Sequence, residues 1–213
     1  TPKIGNEYFC AIQPATNPSW GELLSSGCVK ALSTLSRSSL LTDTLGLFKE
    51  AGLYQELDLP LEASIPVLPE SVAAYSDLYS GSAGILVSPV QVAVAVATLS
   101  NGGRVITPQI ATAYSQDQTE WSLFEQGVEP PKLSDFEPEL AATMLTSGDY
   151  PGWEVTACAT YENASISWYA AGTPSDWFGA PLTIVVALEN TDAAIAREIG
   201  REVFLAATAS LSE

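Results

Sequence analysis

Histidine is absent from all 213 residues. With it go Ser-His-Asp and Cys-His nucleophilic catalysis, imidazole metal ligation and the side chain that most readily shuttles protons near neutral pH. Basic residues are scarce: eight Lys and Arg stand against twenty-five Asp and Glu, a formal charge of −17. Such a surface repels nucleic-acid phosphates and anionic headgroups, so neither nucleic acid nor membrane is expected as a partner of this segment. Solvated acidity on a soluble domain accounts for the excess. Cysteine is limited to Cys10, Cys28 and Cys158, too few and too scattered for a Cys-x-x-Cys zinc site. Three buried thiols are expected, with a Cys10–Cys28 bridge as the alternative in an oxidising compartment. No metal and no cofactor is called for. Nothing reaches the ~18 uninterrupted apolar residues of a membrane-spanning helix; the longest run, Ile85 to Leu99, is broken by Ser88, Pro89 and Gln91. The start Thr1-Pro2-Lys3 has neither an initiator Met nor a signal-peptide pattern, which reads as a trimmed or excised piece.

What is present is a chain 46% hydrophobic with mean hydropathy +0.16, long enough for one sizeable core and hence one domain over 1–213. Pro2, Pro14 and Pro18 mark an irregular lead-in. Ser19 and Glu22 have capping-box spacing, and Leu23, Leu24, Val29 and Leu32 give the following helix its apolar face. A second helix is predicted from Thr42 to Leu53, and Pro60, Pro66 and Pro69 impose a long loop after it. Ser88-Pro89 opens the best-marked helix, which Asn101-Gly102-Gly103 ends. Arg104 to Tyr114 reads as a short strand, Gln116 to Pro138 as an acidic surface insertion, and Glu139 to Leu145 as a short helix. Trp153 to Tyr161, Ile166 to Ala171 and Leu182 to Leu188 alternate as strands. Asp192 to Ala207 closes the chain as an amphipathic helix, with Ile195, Ile199 and Phe204 on one side and Arg197 and Arg201 on another.

Two segments carry a family resemblance. Gly84-Ile85-Leu86-Val87-Ser88-Pro89-Val90-Gln91-Val92-Ala93, followed by Leu99-Ser100-Asn101-Gly102-Gly103 and Pro108, resembles the "G-x-x-x-[ST]-P-L-Q-x-A... A-N-G-G... P" passage of penicillin-binding transpeptidases. Ser167-Trp168-Tyr169-Ala170-Ala171-Gly172-Thr173-Pro174-Ser175-Asp176, then Leu182 to Asn190, is similar to the family's "[AS]-W-F-x-G-[YF]-x-P... V-V-V-x-x-E-N". Weaker similarity links Trp20 to Leu35 with the helix that carries the family's "S-C-N" motif, and Ala73 to Gly84 with its glycine-containing approach. The resemblance runs from about residue 9 to the end. It implies a partial α+β transpeptidase-like domain: an antiparallel sheet of the three C-terminal strands packed with helices, lacking the N-terminal strands and the nucleophile helix.

That family is expected to use Ser-x-x-Lys, Ser-x-Asn and Lys-[Ser/Thr]-Gly motifs, because serine attack needs a neighbouring base and the oxyanion needs donors. None of the three occurs in this sequence. The residues three positions before Lys30, Lys49 and Lys132 are Gly27, Gly46 and Glu129; no asparagine follows a serine at the required spacing; no lysine precedes Ser-Gly or Thr-Gly. Placed by the flanking similarity, the Lys-Thr-Gly-Thr strand falls on Ala157-Cys158-Ala159-Thr160. The Ser-x-Asn motif falls on Ser26-Gly27-Cys28 or Gly27-Cys28-Val29. No residue is therefore expected to be catalytic, and Cys158 reads as a buried strand cysteine, since nothing adjacent in sequence activates it. The carboxylate pairs Glu125/Glu129 and Glu137/Glu139 read as a solvated face. Among the tryptophans, Trp177 in its Pro- and Gly-flanked turn is the candidate partner contact.

The expected function is a catalytically inactive scaffold or interaction domain in extracytoplasmic cell-wall assembly. Its expected partners are other cell-wall synthesis proteins or an N-terminal part of the same protein. The rival readings are a fragment of an active, divergent D,D-transpeptidase whose Ser-x-x-Lys lies upstream, and a module that binds a small ligand or a peptidoglycan fragment. A three-stranded remnant is also expected to expose one sheet edge and an apolar face.

Overall fold

The computed structural model describes residues 9–35, 41–54, 56–57, 59, 85–111, 113–123, 131–134, 136–148, 150–161 and 164–210. The loop predicted around Pro60, Pro66 and Pro69, the approach Ala73 to Gly84 and the pair Glu125/Glu129 lie outside these residues. Helix α1 (Trp20–Ser25) starts on a complete capping box. The Ser19 hydroxyl accepts from the Glu22 amide at 3.2 Å, and the Glu22 carboxylate accepts from the Ser19 amide at 2.8 Å, so two otherwise orphan donors are satisfied. The sequence runs one helix on through Val29 and Leu32; the structure instead interrupts it at Ser26-Gly27-Cys28 and restarts it as α2 (Val29–Leu35). Gly27 sits at φ +63°, a left-handed conformation that glycine alone adopts without steric cost.

Helix α3 spans Leu41–Glu50. Helix α4 (Pro89–Ser100) repeats the capping logic: the Ser88 amide donates to the Gln91 side chain at 2.9 Å, the Gln91 amide donates to the Ser88 hydroxyl at 3.3 Å, and Pro89 stands where a missing N–H costs nothing. The strand expected from Arg104 is shorter than predicted. Arg104 enters strand pairing as an isolated bridge to Lys132, and the hairpin is β1 (Ala113–Tyr114) against β2 (Ser122–Leu123). Helix α5 (Pro138–Leu145) follows.

The main sheet is antiparallel in the order β3 (Trp153–Tyr161), β4 (Ala164–Gly172), β5 (Thr183–Glu189). Its register sets Trp153 opposite Gly172, Ala157 opposite Trp168, and Tyr169 opposite Val186. Helix α6 (Ala193–Ser210) ends the described chain. Because side chains alternate along a strand, the sheet has two distinct faces. Glu154, Thr156 and Cys158 share one with Tyr169, Ile184 and Val186, and α6 covers it: Arg197 and Arg201 reach Glu154, and Tyr150, Tyr169, Ala171, Ala196 and Phe204 form the core there. Trp153, Val155 and Ala157 share the other face. There the Trp153 indole N–H donates to the Ser100 hydroxyl of α4 at 3.0 Å.

Helix α6 is turned relative to the sequence expectation for its isoleucines, while Phe204 is buried as expected. Ala193, Ala196, Gly200, Phe204 and Thr208 face the sheet, while Ile195 and Ile199 point outward, 45% and 41% exposed. Close approach decides the orientation. A Cβ on Gly200 would stand 2.0 Å from Cδ1 of Tyr169, so the helix lies directly on that ring, nearer than an isoleucine face permits. The cysteines also depart from expectation. Cys10 and Cys28 form a disulfide packed with Leu23 and Ala31, and Cys158 is half-buried, with a free thiol. The bridge forms because the lead-in is held against the turn after α1: the amides of Ala11 and Ile12 both donate to the Ser26 carbonyl, at 3.0 and 3.3 Å.

Candidate functional site

The two stretches on which the resemblance places motifs, 130 residues apart in sequence at Gly27 and Ala157, meet in space. The turn Ser26-Gly27-Cys28 rests on β3: a Cβ on Gly27 would lie 2.2 Å from the Thr156 carbonyl oxygen and 3.1 Å from the Ala157 Cα. Glycine thus meets two demands at once, a positive φ and backbone-to-backbone contact. Ser26 and Cys28 are buried, Cys28 as half of the disulfide, and Val29 opens α2. Ala157 lies half-buried across from Trp168 on the face toward α4, and Ala159 shares that face.

The chemistry of this junction is spare. Strand alternation puts Cys158 on the α6 side of the sheet with Ser167 opposite it, away from the turn at Gly27. Thr160, the one position that matches the implied strand motif, is exposed near the end of β3. Glycine, a cystine and alanine therefore stand where the resemblance implies donors, a relay and a cation. No group of three or more potential metal-ligating side chains occurs among the described residues.

The strongest electrostatic feature lies on the opposite face and was missed in the sequence. Glu154 is only 2% exposed. Its Oε1 accepts from Arg201 Nη2 at 2.6 Å, Arg197 Nη2 at 2.7 Å and the Ser147 hydroxyl at 2.8 Å. Its Oε2 accepts from Arg201 Nε at 2.7 Å and the Tyr169 hydroxyl at 3.1 Å. The Tyr150 hydroxyl stands 3.0 Å from that of Tyr169, and the Arg201 guanidinium lies 4.9 Å over the Tyr150 ring. Burial pushes the Glu154 carboxyl up, but the hydrogen bonds from Arg201, Arg197 and Ser147 outweigh it and hold the group at about 2. Burial pushes Tyr150 up to about 12 and raises Tyr169 further. The available signal was a carboxylate inside an apolar strand together with two arginines spaced four apart on one helix, which share a face. The network ties β3, β4, α6 and the turn after α5 together; it is structural chemistry on the α6 face of the sheet.

Trp177 is half-buried, and its indole N–H is enclosed without a partner among the described residues. The next residue, Phe178, is fully exposed, so the turn between β4 and β5 does present an aromatic, one position on from the one singled out. Glu137 and Glu139 are exposed, as expected for a solvated face. No helix among the described residues is long and apolar enough to cross a membrane.

No protein-family model matches the sequence, and no curated protein does. Solved structures match well. The chain is similar to penicillin-binding protein A from M. tuberculosis in its imipenem acyl-enzyme complex, at 22% identity and a TM-score of 0.66, over 88% of this chain and 47% of that one. It is similar to a peptidoglycan synthetase from Bifidobacterium adolescentis at 16% identity and a TM-score of 0.62, over 89% and 40% of the two chains. The D,D-transpeptidase domain of a peptidoglycan glycosyltransferase from Eggerthella lenta matches at 14% identity and a TM-score of 0.58, over 91% and 56%. The chain spans about half the length of these structures. Its α+β architecture, a three-stranded antiparallel sheet with helices on both faces, is that of a partial penicillin-binding transpeptidase-like domain.

Proposed function

We propose that this chain is a transpeptidase-like domain without acyl-transfer chemistry, serving as a scaffold or interaction module in extracytoplasmic peptidoglycan assembly. One observation supports the reading: the Gly27 turn and the Ala157 strand, onto which the resemblance places two of the motifs, touch each other and carry none of the side chains the reaction needs. Losing a lysine at such a position removes a charge-assisted contact to a substrate carboxylate worth about 1.5–3 kcal/mol. The Cys10–Cys28 disulfide supports an oxidising, extracytoplasmic setting, since such bridges persist there and are rare in the cytosol. Partners on this reading are other cell-wall synthesis proteins or the remaining part of a transpeptidase fold.

The test is incubation with a fluorescent penicillin followed by intact-mass measurement. No adduct is expected; stoichiometric labelling overturns the proposal. Thermal-shift screening with soluble peptidoglycan fragments separates scaffolding, which predicts no stabilisation, from ligand binding at the Gly27–Ala157 junction.

A further inference from the structure

Residues Phe9 to Ile12 lie across the turn that joins α1 to α2. The amides of Ala11 and Ile12 donate to the Ser26 carbonyl, and the Val29 amide donates to the Phe9 carbonyl at 3.4 Å. The Cys10–Cys28 bridge ties the same two segments covalently. Gly27 touches both of its neighbours at once: a Cβ placed on it would lie 3.2 Å from the Ala11 Cβ, as well as against the Thr156 carbonyl and the Ala157 Cα. The lead-in is therefore packed on the turn that rests on β3, and a segment of the chain itself occupies the space beside the Gly27–Ala157 junction.

This segment is held in an unfavourable conformation. Phe9 stands at φ +51°, a left-handed backbone that a bulky L-residue adopts only where its surroundings impose it. Packing of the ring does not impose it, since Phe9 is 52% exposed. The constraint comes from the ties on either side: the Phe9 carbonyl is bonded to the Val29 amide, and the next residue, Cys10, is bridged to Cys28. Three neutral hydrogen bonds contribute only modestly, because a detached segment regains bonds to water. The bridge is what keeps the strained segment in place.

We propose that Phe9–Ile12 is a strained strap latched by the Cys10–Cys28 disulfide, and that thiol–disulfide exchange releases it from the Gly27 turn and opens the Gly27–Ala157 junction. The co-reactant is a dithiol. Its thiolate attacks the Cys10 sulfur, which lies beside exposed Phe9, whereas Cys28 is fully enclosed; Cys28 leaves as a thiolate, and the second thiol then displaces Cys10 from the mixed disulfide. One S–S bond breaks in the chain and one forms in the dithiol, with two electrons and two protons passing to Cys10 and Cys28. The proposal rests on the reading of the junction given above. Penicillin labelling and strap release are separate measurements, so either fails without the other.

The test is hydrogen exchange followed by NMR on the intact chain, with and without dithiothreitol. Alkylation and intact mass establish reduction, by modification of Cys10 and Cys28 in addition to the free Cys158. On reduction the amides of Ala11, Ile12 and Val29 are expected to exchange at least about tenfold faster. The resonances of Thr156 and Ala157 shift, while the β4–β5 ladder and α6 keep their protection. Reoxidation restores the starting state, and the chain carrying Cys10→Ser and Cys28→Ser shows the released state without reductant. Unchanged exchange at the three amides, or unmoved resonances at Thr156 and Ala157, overturns the proposal, because the strap then stays in place without its latch. So does a bridge that resists dithiothreitol in the native chain. Protection lost across the β4–β5 ladder and α6 overturns it equally, since the bridge then stabilises the whole fold and latches no single segment.

Discussion

Glu154 shows how one residue commits several elements. A carboxylate this deeply enclosed is tolerated because five donors surround it, and the same enclosure makes it costly to disturb. Its carboxyl, held at about 2 against an ordinary 4.5, is depressed by folding. Its contribution is therefore fully present above about pH 4.5 and is lost as the pH falls toward 2. Linkage puts the loss at about 3 kcal/mol, to be seen as a fall in urea midpoint across that window. In Glu154→Gln the stability at neutral pH drops by a similar ~3 kcal/mol and the acid-dependent step disappears; an unchanged step would place its origin elsewhere. Thr156, on the same face, has the reverse problem. It is 1% exposed and its hydroxyl has no partner among the described residues, so Thr156→Val removes an unsatisfied group without changing shape. A gain of about 1 kcal/mol in chemical denaturation is expected, and a loss would reveal a partner for that hydroxyl. Neither role was legible residue by residue. Composition identifies a charge in a strand, but only the register shows which helix turn stands over it.

At the scale of elements, the sequence was informative wherever local chemistry decides. Ser19 with Glu22 and Ser88 with Gln91 announced helix starts that the structure realises as complete capping boxes, and alternation located all three long strands to within a few residues. The failures came where tertiary approach decides. Helix α6 offers two sides, one with Ile195 and Ile199 and one of alanine and glycine; the expected face joined Phe204 to the isoleucines and holds only for Phe204, which is buried. Hydrophobicity alone selects the first, whereas contact with Tyr169 selects the second. Likewise the Cys10–Cys28 bridge depends on Ala11 and Ile12 docking on the Ser26 carbonyl, which no spacing rule encodes. The candidate site itself was legible as a pair of positions, from flanking similarity, but not as a junction, because the contact between Gly27 and Ala157 spans most of the chain. Gly200→Ala tests the decisive contact of α6. Alanine is the better helix former by up to about 1 kcal/mol, yet here its methyl would sit 2.0 Å from the Tyr169 ring. A net destabilisation of about 1–3 kcal/mol is expected from overpacking, measured as a lowered melting temperature. A neutral or stabilising result would mean that the helix can lift off the sheet at little cost.

For the whole molecule, the balance of charge sets a term that no single contact reveals. With a formal −17 and ion pairing of α6 concentrated on one enclosed carboxylate, the surface is dominated by repulsion among acidic side chains, which favours expansion of the chain. Added salt screens exposed charges over distances beyond about 10 Å at 0.1 M but acts far less on the Glu154 cluster, which lies under α6. The two effects separate cleanly. Raising NaCl from about 0.02 to 0.5 M at neutral pH is therefore expected to raise the melting temperature, and to raise it by the same amount in Glu154→Gln, because screening acts on the surface and not on the buried network. A melting temperature that falls with salt would show that exposed attractive pairs, not self-repulsion, govern the stability of this surface.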